Sequence, residues 1–584
     1  MTALMSHPQQ RNQTGRRTGI AFVLALTTLL AGCISIPTSG PVQEGERIDS
    51  GTTDQVIRVI ARPPQPGMGP GEIVAGFVQA SASFEDDHAV AREYLTPESA
   101  AVWSPGTGTQ VYDGTLTLSA QSGTAESSVT TVGLSAPEVG TISDQGRYQV
   151  SAASREVNIT FRLTTVNGQW RIASTPVGLL LSRADIDRAY RTYNVYFLDP
   201  TFTTLVPDPR MIALDGPGVA TSLTRALVAG PTDWLAPAVR TGFPDGSALA
   251  VDAVPIVDGV ARVDLDTLAR LTDDATRAAM SAQLVWTLRQ ISAVQAVDIT
   301  AGGQPWTVAG AGSPQSRDAW PSFDPNLMPP DTVAYLVSGT RVARLLDNGP
   351  VSVPGGAGLG EPPLSGIAIT LDGAQVAGLG DRANVWLGPM VQGEVLVEAI
   401  AEPGQSRPSF GRGPLAWSVS SDGVVQQISP DGVTTDVPVE GLPDRVVIES
   451  VSMSRDGTRV ALVTRRGPRA ILFIAIVVQR ESGPILTSPV RAESRLSELI
   501  DVSWSRDDQL ISIAAEGAAP QTLYEIDLGR GTVRDLGAPE SPIRVAAAPG
   551  QQTLIATADG RIFAPLAGAW SLEAMGSSPA YPGG

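Results

Sequence analysis

Ile367-Ala368-Ile369-Thr370-Leu371-Asp372-Gly373 is the stretch that decides the fold, because the chain writes it again. It recurs as Val451-Ser452-Met453-Ser454-Arg455-Asp456-Gly457 and as Val502-Ser503-Trp504-Ser505-Arg506-Asp507-Asp508. A weaker copy is Val545-Ala546-Ala547-Ala548-Pro549-Gly550. Asp372 and Asp456 lie 84 residues apart, two units of 42, with the degenerate stretch Phe410 to Leu415 between them. Asp507 and Pro549 are again 42 apart. Only the step from Asp456 to Asp507 is longer, at 51, and it holds the apolar run Ile471 to Val478 with a polar loop after it. A strand, an Asp-Gly turn and a second strand repeating every 40–45 residues make one blade of a β-propeller, whose sheets bury their faces against each other. The span from 331 to 584 therefore predicts about six blades, five or seven being allowed by the raggedness of the repeats. Asp-Gly pairs also occur in calcium loops, but between paired strands they serve as turns that take positive φ.

Upstream, 309–330 carries prolines at 314, 321, 325, 329 and 330 and reads as a linker. The segment 191–308 reads as an α+β domain. Val195 and Phe197 mark a first strand and Leu205-Val206 a second, while Val219, Leu223 and Leu227 predict a helix ended by Gly230-Pro231. A hairpin around Asp258-Gly259 turns Val263 and Leu265 inward. A helix then carries Met280, Leu284, Leu288 and Ile291 on one face, and the strand Val294 to Ile299 turns at Gly302-Gly303 towards Trp306. Before this, 72–190 reads as helices followed by antiparallel strands. Ile73, Val74, Phe77 and Val78 share one helix face, and Val90 and Tyr94 lie one turn apart on a second. Val157 to Leu163 alternates strictly, and Asn167-Gly168 makes a hairpin turn before Trp170 and Ile172. His88, in Glu85-Asp86-Asp87-His88, could be a base in a pocket. With no nucleophile motif near it, it reads as a solvated histidine beside acidic residues.

The chain opens with basic residues (Arg11, Arg16, Arg17), an apolar run from Ile20 to Leu30, and small residues before its single cysteine. The run is too short for the ~20 residues of a membrane helix and reads as a signal peptide, 1–32. Arg16-Arg17 also fits a twin-arginine export signal, the weaker reading. The segment 33–71 is rich in Pro, Ser, Thr and Gly and reads as a tether, its prolines at 63, 64, 66 and 70 opposing regular structure.

Composition excludes several chemistries. The chain of 584 residues is 42% hydrophobic and 17% charged, with 60 Gly and 46 Pro, which suits turn-rich β structure. Its formal charge of −18 falls to near −21 once the three signal arginines leave, a surface that repels phosphate backbones and anionic lipids. Nucleic acid is therefore not an expected partner. There is no lysine, which removes a Walker loop or a Schiff base. One histidine, His88, remains after His7 leaves with the signal, so no His/Cys zinc site can be assembled. No disulfide is available, and each domain is expected to bury a core of its own.

Leu30-Ala31-Gly32-Cys33 resembles the lipobox of bacterial lipoproteins, which implies diacylglycerol on the Cys33 thiol, cleavage before it and N-acylation after. The repeat is similar to that of TolB-type propellers. The order of 191–308 resembles the GerMN domain, on Leu227-Val228-Ala229-Gly230-Pro231, Phe243-Pro244-Asp245-Gly246 and Gln283-Leu284-Val285-Trp286-Thr287-Leu288; this implies an envelope interaction module without catalytic residues. The segment 72–190 resembles the NTF2-like or cystatin-like class, on Ala91-Arg92-Glu93-Tyr94-Leu95-Thr96-Pro97, Trp103 and Gln169-Trp170-Arg171-Ile172. Together these parts resemble the actinobacterial LpqB lipoprotein family over nearly the whole chain. The resemblance implies a lipid-anchored accessory protein on the outer face of the cell membrane. Its implied partner is the extracytoplasmic domain of an MtrB-like sensor histidine kinase, and its implied effect is on MtrAB signalling, cell-wall homeostasis and division. No cofactor, metal or catalytic residue is expected. The alternatives are a carbohydrate-active enzyme acting on peptidoglycan or another glycan through two carboxylates, and a small-ligand-sensing envelope protein.

Overall fold

In the computed structural model, residues 61–120, 128–174, 177–214 and 218–584 are described. The signal, the lipobox with Cys33 and most of the tether lie outside them. Among the described residues no helix is long and apolar enough to cross a membrane.

The first folded part packs helices on a curved sheet. Its leading helix is Pro70–Ala80, two residues longer at its start than the apolar periodicity indicates. Pro70 occupies the first helical turn, where its fixed φ fits and its missing N–H costs nothing. Glu72 reaches back to accept from the Gly69 N–H at 2.7 Å. The helix buries Ile73, Val74, Phe77 and Val78, with Phe77 tilted on Trp103 (5.2 Å) and edge-to-face with Phe161 (6.1 Å). The alternating stretch lies in the strand Glu156–Val166 and buries Val157, Phe161 and Leu163. Asn167 and Gly168 both take positive φ at its hairpin, as a two-residue turn requires. The sheet is not wholly antiparallel: Leu179–Ser182 returns beside Thr109–Tyr112 in parallel, then enters the helix Arg183–Ala189 through a Ser182/Asp185 capping box.

The second part pairs Tyr190–Leu198 with Leu205–Ala213 and sets the helices Val219–Ala229 and Asp274–Leu288 beside a five-stranded sheet. Within that sheet Val260–Leu265 runs parallel to Ala296–Ala301. The proline-rich 309–330 is not a free linker. Gln315–Ser316 adds to the sheet edge, Ser281 donates to Gln315, and the Trp286 indole donates to the Trp320 carbonyl.

The remainder is a propeller of six four-stranded sheets. Blades two to six occupy 365–400, 409–437, 447–491, 498–535 and 542–575. Blade one takes three strands from 335–352 and its innermost strand, Ser577–Ala580, from the far end of the chain. That strand is also tied to blade two, where the Gly366 N–H donates to the Ser578 hydroxyl. The repeated motif is the innermost strand of each blade with the turn after it. Asp372 accepts from the Thr370 hydroxyl (2.6 Å) and the Ala374 N–H (3.0 Å), while Gly373 takes φ of +68°. Asp456 does the same for Ser454 and Thr458. These aspartates hold turns, and among the described residues no group of His, Cys, Asp and Glu is placed to hold a metal ion.

Candidate functional site

His88 is not solvated. Asp86, Asp87 and His88 all take positive φ, which swings the imidazole inward until 6% of the residue is exposed. It packs on Phe84 at 4.9 Å and Trp103 at 5.7 Å. Burial lowers its pKa, with Asp87 opposing, so the ring is neutral at neutral pH. Backbone groups of Ser81 and Ser83 bond it, and Nδ1 is left without a partner. It borders an open cleft of about 600 Å³ between the first two parts, which Phe84, Tyr190, Met211, Asp144 and Arg225 also line.

Deeper in, the three parts meet. The turn after Val129–Ile142 docks on the second part, with Met211 N donating to Gly146 O at 2.7 Å. Arg147 from that turn stacks 4.4 Å over the Trp234 ring, and burial pulls its guanidinium down to about 10. The Trp234 indole donates to Ser488 O at 2.8 Å in blade four. That carbonyl is free because the pairing of Arg469–Arg480 with Gly483–Arg491 shifts register there and Ser488 takes φ of +52°. Asp208 and Arg210 form a buried pair at 2.7 Å beneath the stack, and Arg210 also donates to the Gln145 and Gly230 carbonyls. The core of the second part is not its own: Ile476 and Val478 of the propeller complete it. The expectation of a separate core in each domain fails because the strand Arg469–Arg480 outruns its blade.

A second contact joins the propeller's inner turns to the second part. Asn194 donates to Asp508 at 2.9 Å, and Asn326 accepts from the Asp507 N–H at 2.9 Å. Burial, reinforced by Asp508, pushes the Asp507 carboxyl up to about 7. At the hub, Arg455 is buried and donates to carbonyls of Trp504 (2.8 Å), Ala547 (3.0 Å) and Pro582 (3.4 Å), which lie in or just after the inner strands of three other blades. Desolvation lowers its pKa to about 10. Sequence reading passed over Trp234, Arg147 and Arg455. For Arg455 a signal exists, since the first copy of the motif has Leu371 at the same position.

The predicted lipidation residue Cys33, with Leu30, Ala31 and Gly32, lies outside the described residues.

Three family descriptions match the chain in order: "Lipoprotein LpqB, N-terminal domain" over 63–187, "Sporulation and spore germination" over 194–307, and "Lipoprotein LpqB beta-propeller domain" over 340–582. "Lipoprotein LpqB" of Thermobifida fusca is 31% identical over 98% of this chain and 100% of its own length. The protein of that name in Streptomyces coelicolor is 28% identical over 98% and 99%. The one in Mycolicibacterium smegmatis is 27% identical over 87% and 88%. Among solved structures, TolB from Acinetobacter baumannii aligns with 52% of this chain and 85% of its own at 15% identity, with a TM-score of 0.34.

Proposed function

The chain belongs to the LpqB lipoprotein family, and on that premise we propose a non-catalytic accessory role at the outer face of the cytoplasmic membrane. Lipid on Cys33 anchors it. Its partner is the extracytoplasmic domain of an MtrB-like sensor histidine kinase, through which it influences MtrAB signalling, cell-wall homeostasis and division.

The observation that supports a binding role is the way Arg147, Trp234 and Ser488 clamp three folded parts into one body. Such a body presents fixed surfaces, so little ordering entropy is lost when a partner docks. Two acyl chains confine it to the plane its partner occupies, which raises the effective concentration of one for the other without new contacts. The net negative charge keeps the folded parts off anionic lipid and favours a partner face of opposite sign. The repeat aspartates Asp372 and Asp456 are occupied in turns, which disfavours a glycan-cleaving role for these two.

Deleting a domain is a poor test, because the second part would lose Ile476 and Val478 from its core. Photo-crosslinking residues placed singly on the exposed blade edges and on the helix Val219–Ala229 of the full chain avoid this. Crosslinks to the purified kinase sensor domain from one contiguous patch are expected. Their absence from every position in folded protein overturns the kinase reading. Release of products from peptidoglycan by the mature chain overturns the non-catalytic one.

A further inference from the structure

Arg412 stands in the degenerate repeat, at the place where blades two and four carry the Asp-Gly turn. The replacement is Gly411-Arg412-Gly413, at the exit of the shortest inner strand, Ser409–Phe410. A repeat that breaks its own rule is where function is to be sought. Arg412 lines an open cleft of about 480 Å³ between the turns of blades three and four and the loop of the second part around Asp199. Its Nη1 is buried and has no hydrogen-bond partner. Asp324 is near enough to feel its charge but does not pair with it.

The two carboxylates lining the same cleft are already engaged. Asp199 accepts from the backbone of Thr201, Thr203 and Thr204. Asp456 is held by Thr458 and by a buried ion pair with Arg459. Arg412 is half-buried, and its Nη1 is a buried donor without an acceptor, a state that costs free energy until something fills it. Gly411 lets this turn lie close against blade four, since a Cβ there would press on the Ser454 carbonyl at 3.1 Å. Leu415, Trp417 and Met453 give the wall an apolar stretch, beside the polar Gln427 and Gln479.

We propose that this cleft binds a monocarboxylate with an apolar body, its carboxylate on Arg412 and its body against Leu415, Trp417 and Met453. The planar fork of guanidinium suits a carboxylate. A dianion such as phosphate is disfavoured by Asp199 and Asp456 at the same mouth. The free end of a peptide and a small N-acylated amino acid share this chemistry. The proposal does not rest on the kinase reading.

The test is calorimetric titration of the mature full chain with N-acetyl-L-leucine, its amide, inorganic phosphate, and an acetylated pentapeptide ending in leucine. Saturable binding of N-acetyl-L-leucine is expected, with the amide and phosphate at least about tenfold weaker. Arg412→Gln should weaken it at least about tenfold, with Arg412→Lys between, and should leave the unfolding midpoint unlowered because no protein partner is lost. Tighter binding of the pentapeptide assigns the site to a peptide end; equal binding assigns it to a small metabolite. No saturation by either carboxylate, equal binding of the amide, preference for phosphate, or Arg412→Gln binding like the parent overturns the proposal. So does a lowered unfolding midpoint in Arg412→Gln, which would make the residue structural.

Discussion

At Arg455 a guanidinium is taken out of water and given carbonyls from Trp504, Ala547 and Pro582, so one side chain fastens strands from separate blades. Arg455→Met keeps most of the volume and strands those carbonyls. We expect a loss of about 3 kcal/mol, read as a lower urea midpoint for the propeller transition. Asp507 carries the pH dependence. Its carboxyl is raised to about 7, and Asp508, Asn326, Arg459 and Arg506 face it, with Tyr196 and Asn194 across the contact. Its unfolded value is near the ordinary ~3.9. The stabilisation from the protonated form is therefore complete below about pH 4 and is lost as pH rises through about 7. Asp507→Asn should flatten this slope and raise the urea midpoint at pH 7.5 relative to the parent, with little change near pH 4. An unchanged slope would remove Asp507 from the account. The motif was legible as a turn, but not what its middle position does. Leu371, Arg455 and Arg506 share that position, and only closure of the ring shows which of them faces the axis.

The element that does most beyond its own sheet is the strand Arg469–Arg480. Its apolar run is readable as a buried central strand because both faces are covered. Ile471, Phe473, Ala475 and Val477 face one cluster, and Ala470, Leu472 and Ile474 face blade five. What the run could not tell is where its end goes, since Ile476 and Val478 enter another domain's core. The 51-residue step is the trace of that reach, spent on the long hairpin to Gly483–Arg491. Ile476→Ala should cost about 2–4 kcal/mol and speed proteolysis between the second part and the propeller. The span 331–584 expressed alone should self-associate in sedimentation, because that apolar end is bared, and Ile476→Ser with Val478→Thr should restore a monomer. Helix starts were less legible. The prolines of 63–70 oppose regular structure on sequence grounds, yet Pro70 opens a helix, because the same ring that forbids a helix interior favours its first turn.

On the scale of the whole molecule, the order of parts was legible because each has its own periodicity. The contacts among them were not, since Trp234, Arg147 and Ser488 are brought together from three distant stretches with no shared pattern. Attachment is testable here too. Cys33→Ala should remove the mature protein from the detergent phase of Triton X-114 extracts, and mature-size protein still partitioning there would refute the anchor.

Ring closure by Ser577–Ala580 has a temporal side. A chain made from its amino end has its first two folded parts and the strands of blades two to six in place before Ser577–Ala580 follows. Until it arrives, blades one and two lack the strand that joins them, leaving open edges that other chains can invade. The burial of Ala580 and Tyr581 therefore marks the last step of closure.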